Sequence, residues 1–535
     1  MIRALSTVPL LLLLLALPAM AAIINANSAS LTDVQTAVNS ASSGDTVQVP
    51  AGSVSWTNTL TINQDINLIG AGTGSTIITD SAATSVQLIV WTTTSNHVDR
   101  LSGFTFQGTA NTFADGGSVQ IGGTSHALRV DHCNFNLLQR NFELWFTGWQ
   151  YGVVDHCFFG ANAGGSAKVE HDAYGGYYYG DGSFADADYW GTTNAMYFED
   201  NIFTNISVTG FPAIDMDDGS RTVIRHNSFT NVNTASHGTD SGNRGRSLRS
   251  QEVYMNYFFW NTNAATPVST WGIYFRGGTG VIFSNTFDNG FLSGTTMQEY
   301  RFNVYYVNGW GGNVTGTNNW DSNSVTLFDS GTHNGANAAT VLTDTTKSWT
   351  AGQYVGYILL CNPLAYGGVI TANTANTITY NGPSGMIFNT GDAYQIHQTY
   401  AALDQPGYGQ GDLLADVVQN DGIPSNTVLH AASWSRQILD PIYEWGDNLT
   451  NYSFPNSSYG TPTIINASPP GNLATIFTNV EYYGNTVKPG YTPLVYPHPL
   501  QNGGGGGGSG TATMTIGGGS ATMIFGSGSA TMTTQ

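Results

Sequence analysis

Six times along the chain an apolar residue is followed by two further residues, then Cys or Asn, one more residue and a Phe. The phrases are Val130-Asp-His-Cys-Asn-Phe135, Val154-Asp-His-Cys-Phe-Phe159, Phe198-Glu-Asp-Asn-Ile-Phe203, Ile224-Arg-His-Asn-Ser-Phe229, Val253-Tyr-Met-Asn-Tyr-Phe258 and Ile282-Phe-Ser-Asn-Thr-Phe287. From Phe to Phe the steps are 24, 44, 26, 29 and 29 residues. A period in this range marks stacked repeats, each too small to bury its own apolar face. Each phrase is one strand long with an apolar residue at either end, so each repeat is one turn of a solenoid. Two residues before the Phe, the series Cys133, Cys157, Asn201, Asn227, Asn256, Asn285 occupies one phase. Asparagines stacked there can satisfy turn backbone that would otherwise be buried unpaired. The Phe rings are expected to stack about 4.8 Å apart. Cys133 and Cys157, in adjacent turns, are expected about 5 Å apart, within disulfide reach, although two stacked thiols in the core are the simpler expectation.

The rest of the chain interrupts this pattern. Residues 325–398 lose the phrase and alternate over short runs such as Tyr354-Val-Gly-Tyr-Ile-Leu-Leu360 and Thr377-Ile-Thr-Tyr380, which predicts a small inserted β-module. Coil-like sequence returns over 399–500 and closes with the aromatic-proline segment Tyr491 to Leu500. From 501 to 535 a Gly run and a nine-residue repeat (Ala512-Thr-Met514, Ala521-Thr-Met523, Ala530-Thr-Met532) predict a disordered, Gly-rich tail. At the other end, residues 1–21 read as an export signal. Arg3 precedes the apolar run Leu10 to Leu17, and Ala19-Met20-Ala21 is a small-residue cleavage site. That run is too short to span a bilayer. Residues 22–324 are therefore expected to form the solenoid with its cap, in a protein that is secreted or held at the cell surface.

Composition agrees with an all-β chain. It holds 66 Gly, 12% aromatic and only 9% charged residues, and three Cys are too few for a disulfide scaffold. The formal net charge of −20 argues against nucleic acid and anionic membrane as partners, since both need a basic face. Against this background five of the 15 Lys and Arg residues fall within 221–249: Arg221, Arg225, Arg244, Arg246 and Arg249. His226 and His237 lie among them, and Asp215, Asp217 and Asp218 just before. Such a concentration either handles an anion or a proton, or braces turns through ion pairs. The 44-residue step also implies about twenty extra residues within Gly160 to Trp190. That stretch carries Tyr174, Tyr177, Tyr178, Tyr179, Tyr189 and Trp190 with Asp181, Asp186 and Asp188. Aromatic faces beside acceptor carboxylates suit sugar rings, so Tyr177, Tyr178 and Trp190, with Arg221, Arg225 and His226, are candidate substrate-binding residues. Packing of the tyrosines against the solenoid is the alternative.

The stacked phrases resemble the right-handed parallel β-helix of the pectate-lyase-like superfamily. Asp33 to Ala41 resembles its capping helix, and Gly44-Asp-Thr-Val-Gln-Val-Pro-Ala-Gly52 and Ile66-Asn-Leu-Ile-Gly-Ala-Gly72 resemble its first coils. The resemblance implies a secreted protein acting on an extracellular polysaccharide. In pectate lyases, calcium neutralises the substrate carboxylate and an Arg takes the C5 proton. By likeness Asp215, Asp217 and Asp218 are expected to hold calcium through oxygen ligands, with Arg246 or Arg249 as base. The order Asp217-Asp218 then His237-Gly238 resembles polygalacturonases instead, and implies inverting hydrolysis. Their downstream Arg-x-Lys has no counterpart, since Arg244-Gly-Arg246 ends in the wrong cation. A third expectation is a rigid extracellular binding rod without catalysis. On either enzymatic expectation Asp217, Asp218, Arg225, His237, Arg246 and Arg249 line one groove, rimmed by the aromatic loop.

Overall fold

The computed structural model describes residues 21–83, 86–94, 97–108, 117–136, 138, 141–160, 165–171, 187–204, 212–238, 247–260, 271–288, 291, 293–298, 327–338, 340–355, 357–361, 366–382, 386–397, 405–409, 438–450, 463–465, 476, 478–503, 511–516 and 519–524. Among them, three parallel sheets of twelve, ten and ten strands run side by side. Each coil contributes one strand to each sheet in turn, giving a right-handed parallel β-helix with three walls. One coil shows the plan: Arg221–Arg225 in wall I, Ser228–Thr230 in wall II and Thr234–Ser236 in wall III. No helix among the described residues is long and apolar enough to cross a membrane.

The repeated phrase occupies the corner from wall I to wall II. Its Phe points inward, and Phe106, Phe135, Phe159, Phe203, Phe229, Phe258 and Phe287 form one stack with centroid spacings of 4.6–5.5 Å. Asn201, Asn227 and Asn256 each donate from Nδ2 to the Oδ1 of the next ladder residue at 3.0 Å. That same Oδ1 accepts the ladder residue's backbone N–H at 3.0–3.1 Å. The ladder continues past the insertion, because Asn285 donates to Asp447 Oδ1 at 3.1 Å. Preceding it, Cys133 and Cys157 are buried free thiols. The residue before each ladder position turns the chain with φ near +50°: His132, His156, Asp200, His226, Met255 and Ser284 have φ of 48, 54, 56, 58, 56 and 56°. Asp and His adopt this left-handed backbone more readily than most side chains.

The open end is covered by the helix Leu31–Ser40. It begins two residues before the expected Asp33, because the Ser30 side chain accepts the Asp33 N–H as N-cap. Val34, Ala37 and Val38 face the first coil. After the strand Ser293–Gln298 the stack is interrupted and resumes at Ile442–Trp445, which pairs with Thr279–Phe283. Within the interruption, six strands between Leu327 and His397 form an antiparallel sheet. It has a separate core of Leu342, Leu359, Ile370, Ile378, Phe388 and Ile396. In the tail, Thr511–Ile516 and Gly519–Ile524 pair as an antiparallel hairpin where disorder was expected. Thr alternates with Ala, Met and Ile over Thr511–Ile516, and Gly517-Gly518 separates the two runs in sequence, a pattern that favours a tight hairpin.

The outer face of wall I is covered by the segment Tyr491 to Gln501, which lies across it as a strap. The Tyr491 hydroxyl donates to Glu252 at 2.5 Å. Leu494 and Val495 carbonyls accept from Arg225 at 2.6 and 3.0 Å, and His498 N donates to Glu199 at 2.9 Å. The Leu500 carbonyl accepts from Arg129 at 3.3 Å. Beneath and beside the strap Val153, Tyr197, Val223, Tyr254, Val281 and Phe283 form a second apolar cluster, with Trp190, Tyr491, Leu494 and Leu500 packed on it.

Candidate functional site

In wall III, Leu144, Phe146, Ala167, Val169, Ile214 and Met216 point into the core. Alternation along each strand therefore sends the residues between them outward. The register places Trp145, Lys168 and Asp215 side by side in one outward row, and Glu170 beside Asp217 in the next. His237 continues the second row, its N–H donating to the Met216 carbonyl at 2.8 Å. Arg276 follows one coil on, anchored to Ser236 by its own N–H at 3.1 Å.

These side chains touch one another. Lys168 Nζ lies 2.5 Å from Glu170 Oε1 and 3.2 Å from Asp217 Oδ2, and 4.6 Å above the Trp145 ring. The other Glu170 oxygen accepts from Trp145 Nε1 at 2.7 Å. His237 Nε2 is 2.8 Å from Asp215 Oδ1 and 2.9 Å from Arg276 Nη2. That nitrogen accepts from the guanidinium in the neutral ring and donates to the carboxylate in the imidazolium, so the site can hold either protonation state of His237. Lys168, Glu170, Asp215 and Asp217 are buried, whereas Trp145, Asp218, His237 and Arg276 are partly exposed around them. Below the cluster His171 accepts the Arg221 N–H at Nδ1, 3.2 Å away. Burial, and then the charge of Arg221, pushes its pKa down to about 3, so it stays neutral.

The structure places Asp215, Asp217, Asp218 and His237 together on wall III. Four neighbours carried no repeated phrase and were missed: Lys168, Glu170, His171 and Arg276. Alternation in Gly165-Ser-Ala-Lys-Val-Glu170, read in phase with the Phe series, is the signal that places Lys168 and Glu170 on an outer face.

The arginines fall elsewhere. Arg225 is on wall I, fully buried, donating to Glu199 at 2.7 Å, Tyr254 at 2.7 Å and the strap carbonyls. It cannot line the wall III site, because its phase is one wall away. His226 stacks on Tyr496 of the strap, with ring centroids 3.8 Å apart. Burial, and then Arg225, lowers its pKa to about 4. Trp190 packs against Tyr491, under Lys488. These three expected substrate contacts instead hold the strap. Arg249 is buried, with Nη1 2.5 Å from Asp188 and 3.2 Å from Asp440. Burial raises Asp188 to about 7 even beside this cation. Such a paired cation joins two parts of the chain and is a poor base. Arg221 lies at the corner between walls III and I, stacked over Trp149 and Tyr189 and donating to the Ala187 carbonyl at 2.9 Å. Arg244, Arg246, Tyr174, Tyr177, Tyr178, Tyr179, Asp181 and Asp186 lie outside the described residues.

Calcium can be tested against the donor set. Glu170, Asp217 and Asp218 each offer a carboxylate oxygen, all within 4.8 Å of one another. Hard oxygens are the donor type calcium takes, and three are fewer than its usual six to eight. Asp215, expected in that set, faces His237 instead and Glu170 takes its place. Lys168 already balances part of this negative charge.

The class this defines is the parallel β-helix with a titratable cluster on one wall. No protein-family model and no curated protein matches the chain. Among solved structures it is similar to a PL6 family alginate lyase, at 15% identity and a TM-score of 0.34 over 52% of this chain and 40% of that one. A structure described as Geobacillus virus E2 ORF18 is similar at 13% identity and a TM-score of 0.29, over 67% of this chain and 76% of that one. The Dettilon tailspike protein is similar at 12% identity and a TM-score of 0.26, over 70% and 93%. The chain thus spans less than half the length of the alginate lyase it matches.

Proposed function

We propose that the protein is a lyase acting outside the cell on an acidic polysaccharide, cleaving it by β-elimination on wall III. The observation that supports this reading is the cluster itself: a carboxylate trio beside an ammonium, an imidazole and a guanidinium on one outer face. Elimination removes the C5 proton of a uronate, forms the C4–C5 double bond and breaks the C4–O bond to the leaving sugar, whose oxygen takes up a proton. Calcium held by Glu170, Asp217 and Asp218 would lower the charge on the uronate carboxylate and make C5–H more acidic. Arg276, partly exposed, binds the substrate carboxylate and in doing so releases His237 Nε2 to accept the C5 proton, a role suited to a group that ordinarily titrates near neutrality. Asp215 then steadies the imidazolium. Lys168 supplies the proton to the leaving oxygen.

Hydrolysis by inversion fits this geometry less well. Its two carboxyl groups need to stand about 6.5–9.5 Å apart to admit a water, and the trio is tighter than that. Purified protein incubated with alginate or polygalacturonate should raise the absorbance of unsaturated ends together with reducing ends. His237→Ala and Asp217→Asn should lower both by about 10²-fold or more with the fold intact by circular dichroism. Reducing ends without unsaturated ends would replace this reading with hydrolysis, and silence in both assays on every uronate polymer tried would leave the binding rod.

A further inference from the structure

On the corner between walls I and II, away from wall III, His132 and His156 occupy the same left-handed position in adjacent coils. Their rings lie parallel, with centroids 5.1 Å apart and planes within 1°. Each ring is tethered through Nδ1 to the carboxylate just before it, His132 to Asp131 at 2.7 Å and His156 to Asp155 at 2.8 Å. Those carboxylates are themselves fixed. Asp131 accepts two hydrogen bonds from Arg100 at 2.6 and 2.7 Å, and Asp155 two from Arg129 at 2.9 Å each. The side chains of His132 and His156 are 27% and 20% exposed, so the pair is within reach of small solutes.

With Nδ1 of each ring bonded to a carboxylate, Nε2 carries the lone pair of the neutral ring. This is the tautomer and second-shell arrangement that metal-ligating histidines adopt. Burial lowers the His156 pKa, but Asp155 and Asp200 outweigh it and raise it, so an ion there would displace a proton. Coil stacking holds both nitrogens on one side, and Asp200 in the same row one coil on adds negative charge beside His156. Bonds of about 2.0–2.1 Å to one ion bring two nitrogens to about 3.4 Å, so binding an ion would require each ring to turn out of the parallel stack toward the other. We propose that His132 and His156 form a two-histidine site for a divalent transition ion such as zinc, with water completing its coordination. Nitrogen donors set it apart from the all-oxygen trio on wall III, and the inference does not depend on the lyase reading.

The test is zinc retained per chain by the full-length protein after dialysis against excess calcium, with the affinity measured by chelator competition. His132→Asn and His156→Asn are the informative variants, since Asn tolerates the left-handed backbone and can still donate to the carboxylate. His226→Asn, in the same row but stacked on Tyr496, and Asp217→Asn, on wall III, are the controls. One zinc per chain is expected, with affinity falling at least about tenfold in either His132→Asn or His156→Asn and holding in both controls. Wild-type affinity in His132→Asn or His156→Asn, loss of zinc in Asp217→Asn, or no zinc surviving excess calcium would overturn the site.

Discussion

Asn227 is hydrogen-bonded on every side. Its Nδ2 donates to the Phe198 and Arg225 carbonyls at 2.8 and 2.9 Å and to Asn256, and its Oδ1 accepts from Asn201. Asn227→Ala would strand a buried N–H and two buried carbonyls, at a cost of about 2–4 kcal/mol. Denaturant unfolding of the variant measures this, and a loss below 1 kcal/mol would mean the ladder carries little stability. Asp447 ends the same ladder under different terms. Burial, and then the charge of Glu444, pushes its carboxyl up to about 8. Asp447→Asn keeps the acceptor and removes the ionisation, so it should be nearly neutral at about pH 3, below the unfolded carboxyl's range, and increasingly stabilising toward pH 9. The ladder was legible because Asn recurs at one phase. Asp447 was not, since it lies beyond the inserted sheet and breaks the residue identity on which the pattern rests.

At the scale of elements, a strand's outward residues gain meaning only from the strand beside it. The phrase gave the coil count and the core, but the wall III cluster draws on strands ending at residues 170, 217 and 236, with His237 and Arg276 just past their own strands. Asp217, Asp218 and His237 were visible as a local run. Lys168 and Glu170 come from the preceding coil, across the long step, where no periodicity in charge points to them. The arginines misled because proximity in sequence crosses a corner: Arg221 and Arg225 belong to wall I and Asp217 to wall III. Arg225 is therefore expected to matter for stability. Arg225→Ala leaves Glu199 buried without its cation and should cost about 3–5 kcal/mol in thermal or denaturant unfolding, while residual activity per folded molecule stays near wild type. Loss of turnover with full stability would return Arg225 to the site.

Across the whole molecule, buried acids set the response to pH. Asp99, Asp188 and Glu199 are raised to about 7, chiefly by burial. Their unfolded values lie near 4, so between these limits the native state binds more protons and stability falls as pH rises. Asp131 opposes this. Burial alone would raise it, but Arg100, His132 and Arg129 bring it well below its ordinary value, and its contribution is lost only in stronger acid. Mutual repulsion in a chain of net charge −20 adds to the loss at high pH. The melting temperature should be higher at pH 5 than at pH 8. The reverse order would show that ion pairs outweigh the buried acids.

A solenoid ordinarily has only neighbour-to-neighbour contacts, and coils can form or fray one at a time. The strap changes this, because its bonds to Arg225 and Arg129 join residues 269 and 371 positions apart. During synthesis the coils emerge long before Tyr491, with the apolar outer face of wall I bare. That face is covered only once the strap has been made, so the contacts of residues 491–501 tie the coils of wall I into one cooperative unit. A chain stopped before Tyr491 should keep its coils yet bind hydrophobic dye, and a protease should cleave it far faster than the full-length protein.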